Sequence, residues 1–490
     1  MNDKIWGHPK GIFLVSGVEL WERFSYYGML GLLVLFLTAS SNSGGFQWST
    51  ETALKLMGVY TGLVFAAPAV GGWIANRYWG ERKCIFYGGV LVTVGHLLLG
   101  GPAYFPLIVD YLYGNSISGI LLSSGVSYEN FFLSSIELIE ILPPLTSAAD
   151  YSWLLLTYHL KLWSFLTGLT LIVLGTGLIK PAVSSIINHF YSEDSKSRQS
   201  GFAIFMASIY LGSFSANFIA GTLGEKVGWH AGFSVAAVGM IVGMLAYLFL
   251  QKKYLGDIGT EPLNPSRSDH SAGVILTKED KSRLALVILM GLFTVIYAVA
   301  FYQKGGMLNL YTKSQVDREV LGFEIPTTWF LSISTGIFIL FAPFLVKTLT
   351  RVLPSLDAIK KLALGLAFIA LAYGILAAGD FHNGTNKQVP ASWIVLNYIL
   401  FGLGDILVWP AQIAAAAALS PKHLTSFVIG AWYLTIGIGS WLTGYVGALS
   451  IDHSYFEVFT LISVTCFVAA AVLILFYPVL IRLAGGASLR

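Results

Sequence analysis

About twelve stretches of this chain are apolar for roughly twenty residues or more, the length a helix needs to cross the hydrocarbon core of a bilayer. They lie near 12–38, 52–76, 83–105, 162–182, 200–223 and 230–250, then near 284–311, 327–348, 359–378, 391–419, 424–450 and 455–484. Only 11% of the 490 residues are charged and 55% are hydrophobic, too little charge to cover the surface of a soluble protein of this size. With no water in the bilayer core, backbone groups must be satisfied within each segment, so the expected fold class is an all-α membrane protein of about 12 transmembrane helices. The lipid bilayer is its first partner.

Lys and Arg set the expected orientation. With the N-terminus inside, the internal loops carry Arg77, Arg82, Lys83, Lys252, Lys253 and Lys347 among others, whereas the opposite loops hold Lys226, Lys313, Arg318 and Lys387. That asymmetry predicts a multi-pass protein of the plasma (inner) membrane with both termini cytoplasmic. The first apolar run carries charges and lacks a small-residue cleavage site at its end, so it reads as a span rather than a removable signal.

Residues 251–283 are polar and hold Pro, Gly and Ser, which marks a cytoplasmic linker. It separates an N-terminal six-helix bundle (1–250) from a C-terminal one (284–490), the expected form of a transporter built from two related halves. A second stretch, 106–160, is acidic and reads as an irregular insertion outside the membrane. Its piece FFLSSIELIEILPPL is compatible with a helix on the membrane surface.

The informative residues are charges where lipid is expected. The first span contains Glu19, Glu22 and Arg23, each costing about 2.5–3.5 kcal/mol at mid-membrane on insertion scales. Their i,i+3 and i,i+4 spacing puts all three on one helix face. Burial disfavours a carboxylate's charged form and a neighbouring guanidinium favours it, so a Glu between those influences can load and release a proton. An ion pair locking two helices is the plainer reading, but one Arg cannot neutralise two carboxylates. Lys180 follows a small-residue run, LIVLGTGLIKP, whose glycines permit close helix approach. Lys304 and Asp405 lie in the seventh and tenth spans. A water-filled cavity at the interface of the halves would gather these groups, although Lys304 can equally snorkel to the outer surface. Near them stand Tyr26, Tyr27, Tyr210, Tyr302, Trp409 and Trp432; most aromatic residues in such chains are anchors or packing.

The stretch GGWIANRYWGERK sets Gly72 and Gly80 beside Arg77 and Arg82 and reads as a gating latch. Cys84 and Cys466 give no disulfide framework or metal-ligand cluster. The isolated His96 reads as a helix-contact residue. HExxH, GxSxG and GxxxxGK[ST] patterns are absent, so no enzyme, catalytic residue, metal or cofactor is expected. The net charge of +3 reflects the loop bias and implies no nucleic acid.

The segment Glu19-Leu-Trp-Glu22-Arg23-Phe24-Ser25-Tyr26-Tyr27-Gly28 resembles the ExxERFxYYG signature of the proton-dependent oligopeptide transporter (POT, or PTR) family. GGWIANRYWGERK, GHLLLG, GTGLIKPAVS, GFEIPTTWF and GAWYLTIGIGS are similar to further family stretches, from the first span to the eleventh. The resemblance implies the major facilitator fold and proton-driven import of di- and tripeptides by alternating access. It implies proton coupling by Glu19, Glu22 and Arg23. It also implies a substrate site that includes Tyr27, Lys180, Tyr210, Tyr302, Asp405 and Trp432, with Lys180 toward the peptide carboxylate and Asp405 toward its amino group. The partners are then protons and a small peptide or related solute, with a monomer expected. Leu30, Phe65, Ala182, Tyr210, Tyr302 and Ser334 depart from the family pattern at substrate contacts, and Asn76 at the gate. The proton motif is intact. A non-standard peptide, an amino-acid derivative or another organic solute is the alternative cargo, and a solute sensor without transport is the competing class.

Overall fold

The computed structural model describes residues 4–40, 43–101, 148–191, 196–262, 276–353, 355–383, 388–421, 424–487 and 489. Among them are twelve helices of 21 to 42 residues, each long enough at about 1.5 Å per residue to cross a core of about 30 Å. In chain order they are α1 (Lys10–Thr38), α2 (Thr50–Ile74), α3 (Gly80–Gly100), α4 (Ala148–His189), α5 (Lys196–Thr222) and α6 (Trp229–Leu255). Then follow α7 (Lys278–Tyr302), α8 (Thr327–Val352), α9 (Ala358–Asn383), α10 (Ala391–Leu419), α11 (Thr425–Ala448) and α12 (Tyr455–Leu475).

Among the described residues, ten helical runs are long and apolar enough to span a membrane, and one of them, Thr50–Gly100, contains both α2 and α3. The remaining helix, α1, is 29 residues long, with its hydropathy lowered by the buried charges it carries. The fold is therefore the expected all-helical membrane architecture. Local chemistry sets several ends. Thr277 and Asp280 form a capping box at the start of α7, and Ser454 and Glu457 do the same for α12, each satisfying two orphan backbone donors. Pro9, Pro326 and Pro390 precede α1, α8 and α10 in extended conformation.

One expectation is corrected. The stretch 106–160 is not irregular throughout, because α4 begins at Ala148 and runs unbroken to His189. The Leu-rich sequence WLLLTYHLKLW favours continuing the helix beyond its apolar core. Residues 102–147, including the FFLSSIELIEILPPL piece, lie outside the described residues.

The chain divides into two compact units. Unit 1 comprises Met1–Met57 and Trp79–Glu261; unit 2 comprises Gly58–Tyr78 and Pro262–Arg490. In unit 1, α3 packs along α4, while α1 packs against α5 and α6. In unit 2, α9 packs on α10 and α12, α8 on α10, and α7 on α11. The residues Gly58–Tyr78 join unit 2 because Gly58 and Gly62 lie against the backbone of α11: a Cβ on Gly58 would stand 2.6 Å from the Trp441 carbonyl.

Glycines also fix the α3–α4 pair. A Cβ on Gly88 would approach the Gly175 carbonyl at 2.7 Å and one on Gly175 would approach the Gly88 carbonyl at 2.5 Å; Gly95 and Gly168 repeat the arrangement at 2.7 and 2.8 Å. Seven residues separate the two pairs on each helix, so both fall on one face two turns apart. Small residues let backbones approach where the hydrophobic effect gives no drive between helices. The glycines of the LIVLGTGLIKP run thus act as expected, through Gly175.

Candidate functional site

The charged residues of α1 lie inside unit 1. Glu19, Glu22 and Arg23 are 1%, 1% and 3% exposed. Arg23 grips Glu22 with two nitrogens, Nε to Oε2 and Nη2 to Oε1, and its Nε lies 3.4 Å from Glu19 Oε1. A bidentate guanidinium–carboxylate contact fixes orientation as well as charge. The second carboxylate is less well met: Glu19 Oε2 is buried with no hydrogen-bond partner among the described residues. The shared face read from the i,i+3 and i,i+4 spacing is therefore real and buried.

Packing turns that face toward α4. Trp21 of α1 fills the space left by Gly239 and Gly243 of α6, where a Cβ would stand 2.4 and 2.8 Å from its ring. Gly212 of α5 abuts the Leu20 carbonyl, with a Cβ position at 2.3 Å. Phe24 joins Ala216, Ala220 and Ala236 in a small core against which Tyr27 packs. Ser25, on another side, hydrogen-bonds His96 Nε2 of α3, so His96 makes a helix contact. The face left for Glu19, Glu22 and Arg23 meets α4, where Thr176 Oγ1 donates to Glu22 Oε1 at 2.8 Å.

Lys180 follows Thr176 by one turn and lies in electrostatic range of Glu19, Glu22 and Arg23. Pro181, next in the helix, lacks a backbone N–H and so releases one carbonyl beside the cluster. Two carboxylates thus share two cations within one unit. Tyr210 is half-buried on α5 and Tyr27 half-buried on α1. Thr176 was not singled out in the sequence, because a threonine in an apolar span reads as packing.

A second cluster belongs to unit 2. Asp405 is 5% exposed, and its Oδ1 accepts hydrogen bonds from Tyr297 Oη at 2.8 Å and Trp409 Nε1 at 3.1 Å. Lys304 is also 5% exposed, so it does not snorkel to a surface. Its Nζ sits 3.5 Å from the centroid of the Phe301 ring, a cation–π geometry, and it interacts electrostatically with Asp405. Tyr297, Phe301 and Trp409 pack on one another, and Trp432 lies edge-on to Trp409 at 6.2 Å. Trp432 Nε1 is buried with no hydrogen-bond partner among the described residues. Tyr302 and Phe65, two departures from the family pattern, meet edge to face at 5.4 Å. Tyr297 was missed in the sequence: its hydroxyl comes 108 residues before its acceptor, and nothing local marks it. A recess lined by Gly374, Phe381, Phe456 and Ser463 lies on α9 and α12 and holds no charged side chain.

The GGWIANRYWGERK stretch has an internal anchor. Residues Ala75–Trp79 form a π-helical turn, and Gly80 follows at φ +73°, where a side chain would be strained. The Arg82 backbone N–H donates to the Gly259 carbonyl at 2.9 Å. Its guanidinium donates to the Gly256 carbonyl at 2.6 Å and to Gln251 Oε1 at 3.0 and 3.2 Å. Arg82 and Gly80 therefore fasten the start of α3 to the end of α6. Arg77 is exposed and Gly72 half-buried. Glu81, unremarked in the sequence, is buried beside it. Among the described residues no group of three or more His, Cys, Asp or Glu is placed to hold a metal ion.

The chain is similar along its length to known transporters. It is 27% identical to an uncharacterized transporter, YclF, of Bacillus subtilis (strain 168), over 98% of this chain and 96% of the relative. It is 27% identical to a di-/tripeptide transporter of Lactococcus lactis subsp. lactis (strain IL1403), over 87% of each. The crystal structure of a peptide transporter POT in complex with sulfate superimposes with a TM-score of 0.81 at 25% identity, covering 98% of this chain and 97% of that one. The family model described as the POT family matches residues 82–277 and 270–462. With most of its length matched by that model and its fold shared with solved members, the chain belongs to the POT family.

Proposed function

We propose that this POT-family member is a proton-coupled symporter that imports di- or tripeptides by alternating access. It works as a monomer in the plasma membrane with both termini cytoplasmic. The observation that carries the reading is the buried set of Glu19, Glu22 and Arg23 joined to Thr176 and Lys180. A network that only locked helices would leave no carboxylate oxygen without a donor. Here the bidentate Arg23–Glu22 contact leaves Glu19 with one oxygen that meets no donor among the described residues, which suits a group that gains and loses a proton during the cycle.

In the outward-open state a proton binds Glu19 or Glu22 and weakens the hold on Arg23 and Lys180. Lys180 then takes the substrate carboxylate. Asp405 receives the amino group through Oδ2, since Oδ1 accepts both Tyr297 and Trp409. Substrate binding favours closure. Release of the proton to the cytosol restores the pairs. Each charge moved across about 100 mV supplies about 2.3 kcal/mol, enough for roughly fifty-fold accumulation. The name of the Lactococcus relative, a di-/tripeptide transporter, supports the substrate class.

A second reading has its own support. Lys304 is buried and interacts electrostatically with Asp405, so a substrate amino group meets a competing cation there. A symporter of the same fold for a modified peptide, an amino-acid derivative or another organic solute fits that arrangement. Proteoliposomes with an imposed inward proton gradient separate the two. Accumulation of a labelled dipeptide, displaced by unlabelled di- and tripeptides, supports peptide import. Gradient-driven uptake indifferent to all peptides and displaced by N-blocked or other solutes supports the second reading.

A further inference from the structure

Helix α4 grips a carboxylate twice. Thr176 and Lys180, four residues apart, face Glu22 of α1; Ser185 and His189, also four apart, face Glu81 of α3. Ser185 Oγ donates to Glu81 Oε1 at 2.7 Å, and His189 Nε2 lies 3.3 Å from the same oxygen. The second grip follows the first by nine residues, about 13.5 Å along the helix and two and a half turns, hence on the opposite face. Glu81 is 2% exposed, whereas the His189 side chain is 39% exposed. An enclosed carboxylate therefore meets water through an imidazole, the side-chain type that changes charge between about pH 5 and 8.

We propose that Glu81, Ser185 and His189 form a second proton-binding site that reads the proton concentration on the side of the termini and sets the rate of proton release there. This rests on reading the chain as a proton symporter with cytoplasmic termini. A protonated His189 makes a charge-assisted contact to Glu81 and holds the start of α3 against the end of α4; a neutral one leaves a weaker hydrogen bond. That junction is already tied to α6 through Arg82 and Gly259. An acidic cytosol keeps it closed and slows release, and an alkaline cytosol lets it open.

The neighbouring ionisable groups do not replace His189. On α3, Cys84 lies in electrostatic range of Glu81, and Arg82 is turned to Gly256 and Gln251. Tyr247 of α6 donates to the Arg82 carbonyl. The segment after α6 presents Gly259, whose Cβ position is 3.3 Å from Glu81 Oε2. Past the end of α4, Tyr191 is paired with His8 at 2.6 Å. Among the described residues, His189 is the titratable base in contact with the Glu81 carboxylate.

The test uses the full chain in proteoliposomes. Uptake of a labelled dipeptide is driven by a fixed potassium diffusion potential at constant external pH, with the interior set between about pH 8 and pH 6. Wild type is expected to slow about fivefold as the interior acidifies. His189→Gln and Glu81→Gln should keep only the slowing that the smaller pH gradient itself imposes and outpace wild type at the acidic interior pH, while His189→Arg, permanently charged, should be slower than wild type at the alkaline one. A wild-type interior-pH response retained in His189→Gln overturns the proposal, as does equal slowing of all three variants at every interior pH, the mark of a purely structural contact. In either case accumulation by wild type leaves the symporter reading standing. If wild type shows no driven uptake at all, both fall.

Discussion

Thr176 and Glu22 come from helices 154 residues apart in sequence, yet the threonine hydroxyl donates to the carboxylate oxygen that Arg23 Nη2 also grips. Each oxygen of Glu22 is therefore engaged, while Glu19 Oε2 has no donor among the described residues. The two glutamates of one helix face are thus unequal partners, and α4 makes them so by supplying Thr176 and Lys180 to one place.

Replacing Thr176 by Val keeps the shape and removes the donor. A hydrogen bond to a charged group contributes about 1.5–3 kcal/mol, so proton-driven uptake is expected to fall about tenfold or more. Thr176→Ser should restore most of it. Initial uptake rates in proteoliposomes under a fixed inward proton gradient check this, and a Val variant equal to wild type would detach Thr176 from the coupling network.

Tyr297 orients Asp405 from a fully buried position. Tyr297→Phe leaves the ring packing and removes the hydroxyl, so that only the longer Trp409 bond still orients the carboxylate. If Asp405 receives the substrate amino group, the expected effect is a rise in KM of about threefold to tenfold with the maximal rate little changed. Concentration-dependent uptake of a labelled dipeptide gives both values. A fall in maximal rate at unchanged KM would place Asp405 outside substrate binding.

The α3–α4 glycine pairs make a stability prediction that needs no substrate. A methyl on Gly175 would stand 2.5 Å from the Gly88 carbonyl, a backbone group that cannot swing away. Gly175→Ala is expected to cost about 1–3 kcal/mol and lower the unfolding temperature in detergent by several degrees. Gly430→Ala, with nothing within 4 Å of its Cβ position, serves as the control and should shift it far less.

What was legible in the sequence was local. The helix face of Glu19, Glu22 and Arg23 follows from their spacing, and the spans follow from runs of apolar residues too long for other uses. The glycines around Lys180 announced close packing, and Gly175 delivers it. What stayed hidden depends on partners far along the chain. Thr176 and Tyr297 are hydroxyl groups in apolar spans, indistinguishable from packing until the acceptor is brought alongside. Glu81 sat among the loop charges of the gating stretch, and only the fold shows it enclosed by Ser185 and His189. The side to which Lys304 turns was open because a lysine near the end of a span can reach water or fold inward; the Phe301 ring and Asp405 hold it inside. Hydropathy sets the start of α4 too late because it fades before the helix does.

The most direct test of the account is gradient-driven uptake by Glu22→Gln against wild type in the same proteoliposomes, paired with counterflow exchange at equal pH on both sides. A glutamine keeps the shape but carries no ionisable proton. The variant is expected to lose accumulation against a gradient and to retain measurable counterflow. Accumulation equal to wild type would remove Glu22 from proton coupling.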